Sequence, residues 1–79
     1  MTLDRLGIGA PARIKSVTWD LIAPEEAKRL RALGVDVDSE LTVSHRGIFG
    51  GGDPIAITLG NMTIALRRSH ARAIAVEAL

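Results

Sequence analysis

The chain has no cysteine and no tyrosine, and its aromatic rings are limited to one Trp, one Phe and two His. Without thiols it can form no disulfide, no thiolate-bound metal site and no thiol nucleophile. Small secreted domains usually depend on disulfide staples, so this absence favours a cytoplasmic setting. With only one Trp and one Phe in 79 residues the core has to be aliphatic, and Leu, Ile and Val together number 22. That supply suits one compact core in a single domain over residues 1–79, near the lower size limit for a self-sufficient fold. No stretch approaches the roughly 20 consecutive apolar residues that a membrane span needs. The opening residues, MTLDRLGIGAPARIK, carry an acid early and no continuous apolar segment, so they do not read as a signal peptide. Membrane association is therefore expected only through a partner. Ten basic against nine acidic residues leave a formal charge of +1, which alone implies no polyanionic ligand.

What is present is concentrated in residues 50–68, GGGDPIAITLGNMTIALRR. A glycine-rich turn ends at Asp53-Pro54. Two runs of period-two alternation follow, joined by Gly60-Asn61, and this pattern marks a tight β-hairpin. Ile55, Ile57 and Leu59 share one face of the first strand, and Met62, Ile64 and Leu66 share one face of the second. Ahead of them, residues 12–19 form a β-rich stretch in which Ile14 and Val17 can share a face only through a bulge. Leu41 and Val43 mark another strand, leading into a loop from Arg46 to Asp53. Ile74 and Val76 mark a short last one, after a helical turn over 69–73. Leu3, Leu6 and Ile8 open the chain as a turn tucked under the core.

One helix is predicted, over 24–33. Pro24 suits the first helical position, and Glu25 and Glu26 place negative charge at the positive end of the helix dipole. Ala27, Leu30 and Leu33 form an apolar stripe, with Lys28, Arg29 and Arg31 pointing away. Gly34 fits a left-handed cap, with Val35 packing back on Leu30. The elements predict a mainly β fold: a small, strongly curved five-stranded antiparallel barrel with one α-helix after the first strand. Its core is expected to hold Ile14, Val43, Ile55, Ile57, Ile64 and Leu66, with the helix stripe laid on it. Closure into a barrel would remove most exposed strand edges.

Catalytic patterns are missing. The glycines at 47, 50, 51 and 52 lack the Lys-Ser/Thr ending and following helix of a phosphate loop, and they read as turn residues adopting positive φ. His45 and His70, with Asp36, Asp38, Glu40 and Asp53, fall into no metal-ligand spacing. Ser44-His45 and Ser69-His70 are sequence neighbours, and neighbours on a strand face opposite ways. No catalytic residue, metal ligand, cofactor or small-molecule substrate is assigned. Two features instead suit contact with another macromolecule. Ile48 and Phe49 tip a loop, and Arg67, Arg68, His70 and Arg72 cluster with Glu77 the only acid after Asp53. An apolar anchor beside arginines is a common interface composition, although the same arginines could simply be a solvated edge. Scarce stacking aromatics argue against nucleic acid, leaving weak RNA binding through Arg67, Arg68 and Arg72 as a minor alternative.

Three segments, RLRALGV (29–35), GDPIAITLGNMTIALRR (52–68) and Ala71, Ile74 and Val76 in A-x-x-I-x-V, together resemble the FeoA family. Its members are small cytoplasmic partners of the bacterial ferrous-iron transporter FeoB. The resemblance covers nearly the whole chain and implies an SH3-like barrel without enzymatic activity. It also implies docking on the cytoplasmic, GTP-hydrolysing portion of FeoB. The chain departs from the family at two places. Asp38-Ser39 stands where Pro-Gly is usual after the helix. Ile48-Phe49 and three glycines stand where Pro-Leu-Gly usually precedes Asp-Pro. The expected docking residues are Ile48, Phe49, Asp53, Arg67 and Arg68. The same barrel also occurs fused to iron-dependent repressors as an interaction module. The chain shows no helix-turn-helix pattern and starts at a Met, so the expectation is a stand-alone partner protein.

Overall fold

In a computed structural model of the chain, residues 1–49 and 53–79 are described, residues 48 and 49 by their backbone only. A 3-10 turn, Leu3–Arg5, precedes β1 (Pro11–Val17). A second, Trp19–Leu21, leads into α1 (Pro24–Ala32). Then follow β2 (Glu40–Phe49), β3 (Asp53–Leu59), β4 (Met62–Leu66), the short α2 (Arg68–Ala71) and β5 (Ile74–Ala78). The strands form one antiparallel sheet in the order β4-β3-β2-β1-β5.

Every strand contributes to one buried face: Ala12 and Ile14, Leu41 and Val43, Ile55 and Ile57, Ile64 and Leu66, Ile74 and Val76. A sheet with a single apolar face and no second sheet must curl over that face to bury it. Leu3, Leu6, Ile22, Leu30, Val35, Ala71 and Ala73 add to this core, and Ala27, Leu33 and Leu59 are among the residues laid against it. The six strand residues expected in the core are all within it. β4 and β5 do not pair, so the barrel-like sheet stays open at one seam. The chain's start covers part of the β5 edge, where Thr2 bridges Ala75 and the Val76 N–H donates to the Met1 carbonyl at 2.8 Å. On the other side, Arg29 Nη2 donates to the Ala65 carbonyl of β4 at 3.2 Å.

Two bulges explain where the alternation slips. In β1, Ile14 pairs with Val76 while Ser16 pairs with Ala75, so Lys15 is extra. Ile14 and Val17 consequently share the inward face, as the sequence required. In β2 the pairing steps from Val43–Ile57 to His45–Ala56, with Ser44 extra. That shift turns Arg46 to the side of Ile55, where its Nη2 donates to the Leu6 carbonyl.

The helix follows its sequence signals. It begins at Pro24, and Leu30 is fully buried. At its end the Val35 N–H donates to the Leu30 carbonyl at 2.9 Å and the Gly34 N–H to Arg31 at 3.1 Å, a Schellman closure. Gly34 has φ +99°, and Val35 is fully buried.

Several expectations are corrected. The first strand ends at Val17, and Trp19 lies in a 3-10 turn with the Arg31 guanidinium 4.3 Å above its ring. Arg29 and Arg31 are therefore both engaged with other elements, not simply turned to solvent. Ile8 is 62% exposed, because its backbone bridges Val43 while its side chain faces out. Met62, at the hairpin turn, is 39% exposed. The stretch read as a loop from Arg46 is strand as far as Phe49. Gly47 does not have positive φ. Glycine is needed there because a Cβ would overlap the Asp53 carbonyl across the hairpin. Gly50, Gly51 and Gly52 lie outside the described residues.

Candidate functional site

The β2–β3 hairpin brings most of the sequence-derived site residues to one end of the sheet. Phe49 pairs with Asp53 in register, so their backbones face each other at the start of β3. Asp53 is joined to Pro54 by a cis peptide bond. Its Oδ1 accepts the backbone N–H of Arg68, the first residue of α2, at 2.9 Å. Arg67 supplies no side-chain cap of its own, so the carboxylate comes from a different element. Thus Asp53, Arg67 and Arg68 converge, with Phe49 one strand away. The directions of the Ile48 and Phe49 side chains lie outside the described residues.

A cleft of about 180 Å³ opens where β4 runs into α2 opposite α1, lined by Glu26, Arg29, Pro54, Leu66, Arg67 and His70. Its neighbour, of about 290 Å³, is formed by Asp53, Pro54 and Arg67. Pro54 and Arg67 belong to both, which makes them the ridge between two adjoining depressions. Glu26 is already engaged: its Oε1 accepts from Arg29 Nε at 2.7 Å, and Arg29 Nη2 lies 2.5 Å from it. Arg67 is exposed, and among the described residues its guanidinium has no hydrogen bond or ion pair. His70 is half-buried and encloses its Nδ1 without a hydrogen-bond partner among those residues.

Arg72 and Arg13 are paired elsewhere. Arg72 Nε lies 3.8 Å from Asp4, tying the end of α2 to the first 3-10 turn. Arg13 sits between Glu40 on β2 and Glu77 on β5, at 3.3 and 3.9 Å, in register with both. Among the described residues no three His, Asp or Glu side chains gather as a metal site requires. Among them, too, no helix is long and apolar enough to cross a membrane.

Sequence reasoning placed Asp53, Arg67 and Arg68 together but missed Arg29, Glu26 and Pro54. Their sequence signals were ordinary: helix-surface charges and a turn proline. Only the docking of α1 beside β4 gives them a shared cleft.

Among curated proteins none matches the chain. The FeoA domain matches residues 1–78. Over its whole length the chain is similar to the solution structure of iron(II) transport protein A from Clostridium thermocellum, with 34% identity and a TM-score of 0.84. It spans 46% of that protein, less than half of its length. Over 98% of its length it is similar to Stenotrophomonas maltophilia FeoA, with 32% identity and a TM-score of 0.77, covering 89% of that chain. That protein was crystallised with zinc and is described as an SH3 domain protein and a candidate ferrous iron transport activating factor. A manganese-dependent transcriptional repressor shares the fold alone, at 23% identity and a TM-score of 0.82 over 41% of its length. A mainly β, SH3-like sheet with one principal helix and a domain match from residue 1 to 78 lead to one conclusion: the chain belongs to the FeoA family.

Proposed function

We propose that this chain is a non-catalytic accessory protein of ferrous iron transport, docking on the cytoplasmic GTPase-containing part of the FeoB transporter. The docking surface is the end of the sheet that carries Ile48, Phe49, Asp53, Arg67 and Arg68. The observation behind this reading is the Arg67 guanidinium, exposed between two depressions beside Pro54 and without an intramolecular partner among the described residues. An arginine whose guanidinium makes no hydrogen bond or ion pair among the described residues can give its planar donors to a partner's carboxylate.

Titration of the wild-type chain and a Phe49→Ala, Arg67→Ala double variant against the transporter's cytoplasmic domain tests the surface. Loss of an interface anchor commonly costs more than about 1 kcal/mol, roughly fivefold in affinity. Equal affinity for both proteins removes this surface from consideration. Iron is treated as the transporter's cargo, not as a ligand of this chain, and stoichiometric ferrous iron bound at micromolar affinity would contradict that.

A second reading is an interaction module of an iron-dependent transcriptional regulator, since the fold is shared with a repressor domain. A neighbouring gene for a large membrane protein with a GTP-binding domain would favour the first reading, and one for a DNA-binding regulator the second.

A further inference from the structure

We infer that the open edge of β4, with the Arg29–Arg67 cleft at its end, receives an extended acidic segment of a partner protein as an added strand. The inference rests on the docking reading for the partner's identity but not for the surface itself.

The hairpin geometry decides which groups are free. Leu59 pairs with Met62 across the Gly60-Asn61 turn. In a two-residue hairpin that pair exchanges hydrogen bonds, and alternate pairs beyond it do the same. Ile64 and Leu66 therefore bond to β3, while Thr63 and Ala65 turn their N–H and C=O groups outward. The outward Ala65 carbonyl is the acceptor that Arg29 reaches. No hydrogen bond among the described residues covers the Thr63 N–H, the Thr63 carbonyl or the Ala65 N–H. Thr63 and Ala65 are both exposed, on an edge that no other strand among the described residues pairs with. Such an edge is a template for a further strand.

Arg29 limits how far an incoming strand can pair. It occupies the Ala65 carbonyl, so pairing runs over Met62–Ala65 and stops where the cleft begins. There the visiting chain meets the exposed Arg67 guanidinium and the Arg29 guanidinium already held by Glu26. The nearby acid, Asp53, is engaged with the Arg68 backbone. An acidic side chain at that point pairs with the Arg67 guanidinium, which makes no ion pair among the described residues, and Pro54 and Leu66 give its stem an apolar floor. Backbone donors and acceptors in strand spacing fit a peptide, whereas single-stranded nucleic acid is held by a series of stacking rings, and His70 is the one aromatic ring among the described residues that line the cleft.

The test uses the whole chain with two synthetic peptides of alternating Val-Glu and Val-Lys sequence. The acidic peptide is expected to bind at least tenfold more tightly than the basic one and to slow amide hydrogen exchange at Thr63 and Ala65. Arg67→Glu should weaken it at least tenfold, while Arg5→Glu, a charge reversal elsewhere on the surface, leaves it unchanged. Unprotected Thr63 and Ala65 amides overturn the inference. So does equal loss in both variants, or an edge that responds to single-stranded RNA and not to peptide. A transporter domain that binds without protecting Thr63 and Ala65 overturns this inference and leaves docking standing. Peptide protection without any binding to the transporter domain does the reverse.

Discussion

The Asp53 carboxylate on β3 accepts the backbone N–H of Arg68 at 2.9 Å, so a strand caps a helix fifteen residues further along the chain. α2 is four residues long and Arg67 gives it no side-chain cap, so the cap on its first N–H comes from β3. Asp53→Ala should destabilise the fold by about 0.5–2 kcal/mol, the usual cost of losing an N-cap oxygen. Asp53→Asn, which keeps an acceptor oxygen, should recover most of that. Urea unfolding measures both, and faster exchange of the Ala71 and Arg72 amides, which bond to Arg67 and Arg68, should accompany the alanine variant alone. Identical stabilities for wild type and Asp53→Ala would remove the cap from the account.

Leu30 is the one fully buried residue of α1, and its carbonyl also takes the Schellman bond from Val35. Leu30→Ala should cost about 2–5 kcal/mol, a large share of the stability of so small a domain. A loss below about 0.5 kcal/mol in chemical denaturation would mean that the helix does not rest on the core as described.

Gly47 faces the Asp53 backbone so closely that a methyl group has no room. Gly47→Ala must push the β2–β3 ends apart, at about 1–3 kcal/mol or more, as overpacking usually does. Nuclear magnetic resonance shifts should concentrate at Asp53 and Arg68. A variant as stable as wild type with unmoved Asp53 and Arg68 signals contradicts this geometry.

Asp38 holds φ +73° in the turn between α1 and β2, a region that a side chain disfavours. Asp38→Gly relieves that strain at the cost of a more flexible unfolded chain. The net expectation is a gain of about 0.5–1 kcal/mol, seen as a higher midpoint at unchanged m-value. Destabilisation would show that the Asp38 side chain contributes more than its backbone strain costs.

Much of this architecture was legible in the residues because the signals are local. Pro24, the Ala27–Leu30–Leu33 stripe and Gly34-Val35 each act within a turn or two, and α1 runs from Pro24 to Ala32 with the closure expected. The Gly60-Asn61 link and its flanking alternation likewise specify a hairpin, with Leu59 paired to Met62. Even the β1 bulge was required by the incompatible spacing of Ile14 and Val17.

Tertiary structure decided the rest, wherever distant segments had to meet. Trp19 lies in a 3-10 turn under the Arg31 guanidinium, a contact with α1 that the β-rich residues before it do not signal. Which side Arg46 takes depends on a bulge at Ser44 that no hydrophobic pattern marks. The cleft depends most of all on tertiary contact, since Glu26 and Arg29 come from α1, Pro54 from β3, and Arg67 from the link into α2. Composition could say that arginines were plentiful near the end of the chain. Only the packing of α1 beside the open edge of β4 determined that Arg29 would be engaged there while Arg67 stayed exposed. Local propensity acts over a few residues, whereas a site assembled from three elements exists only once the core has brought them together.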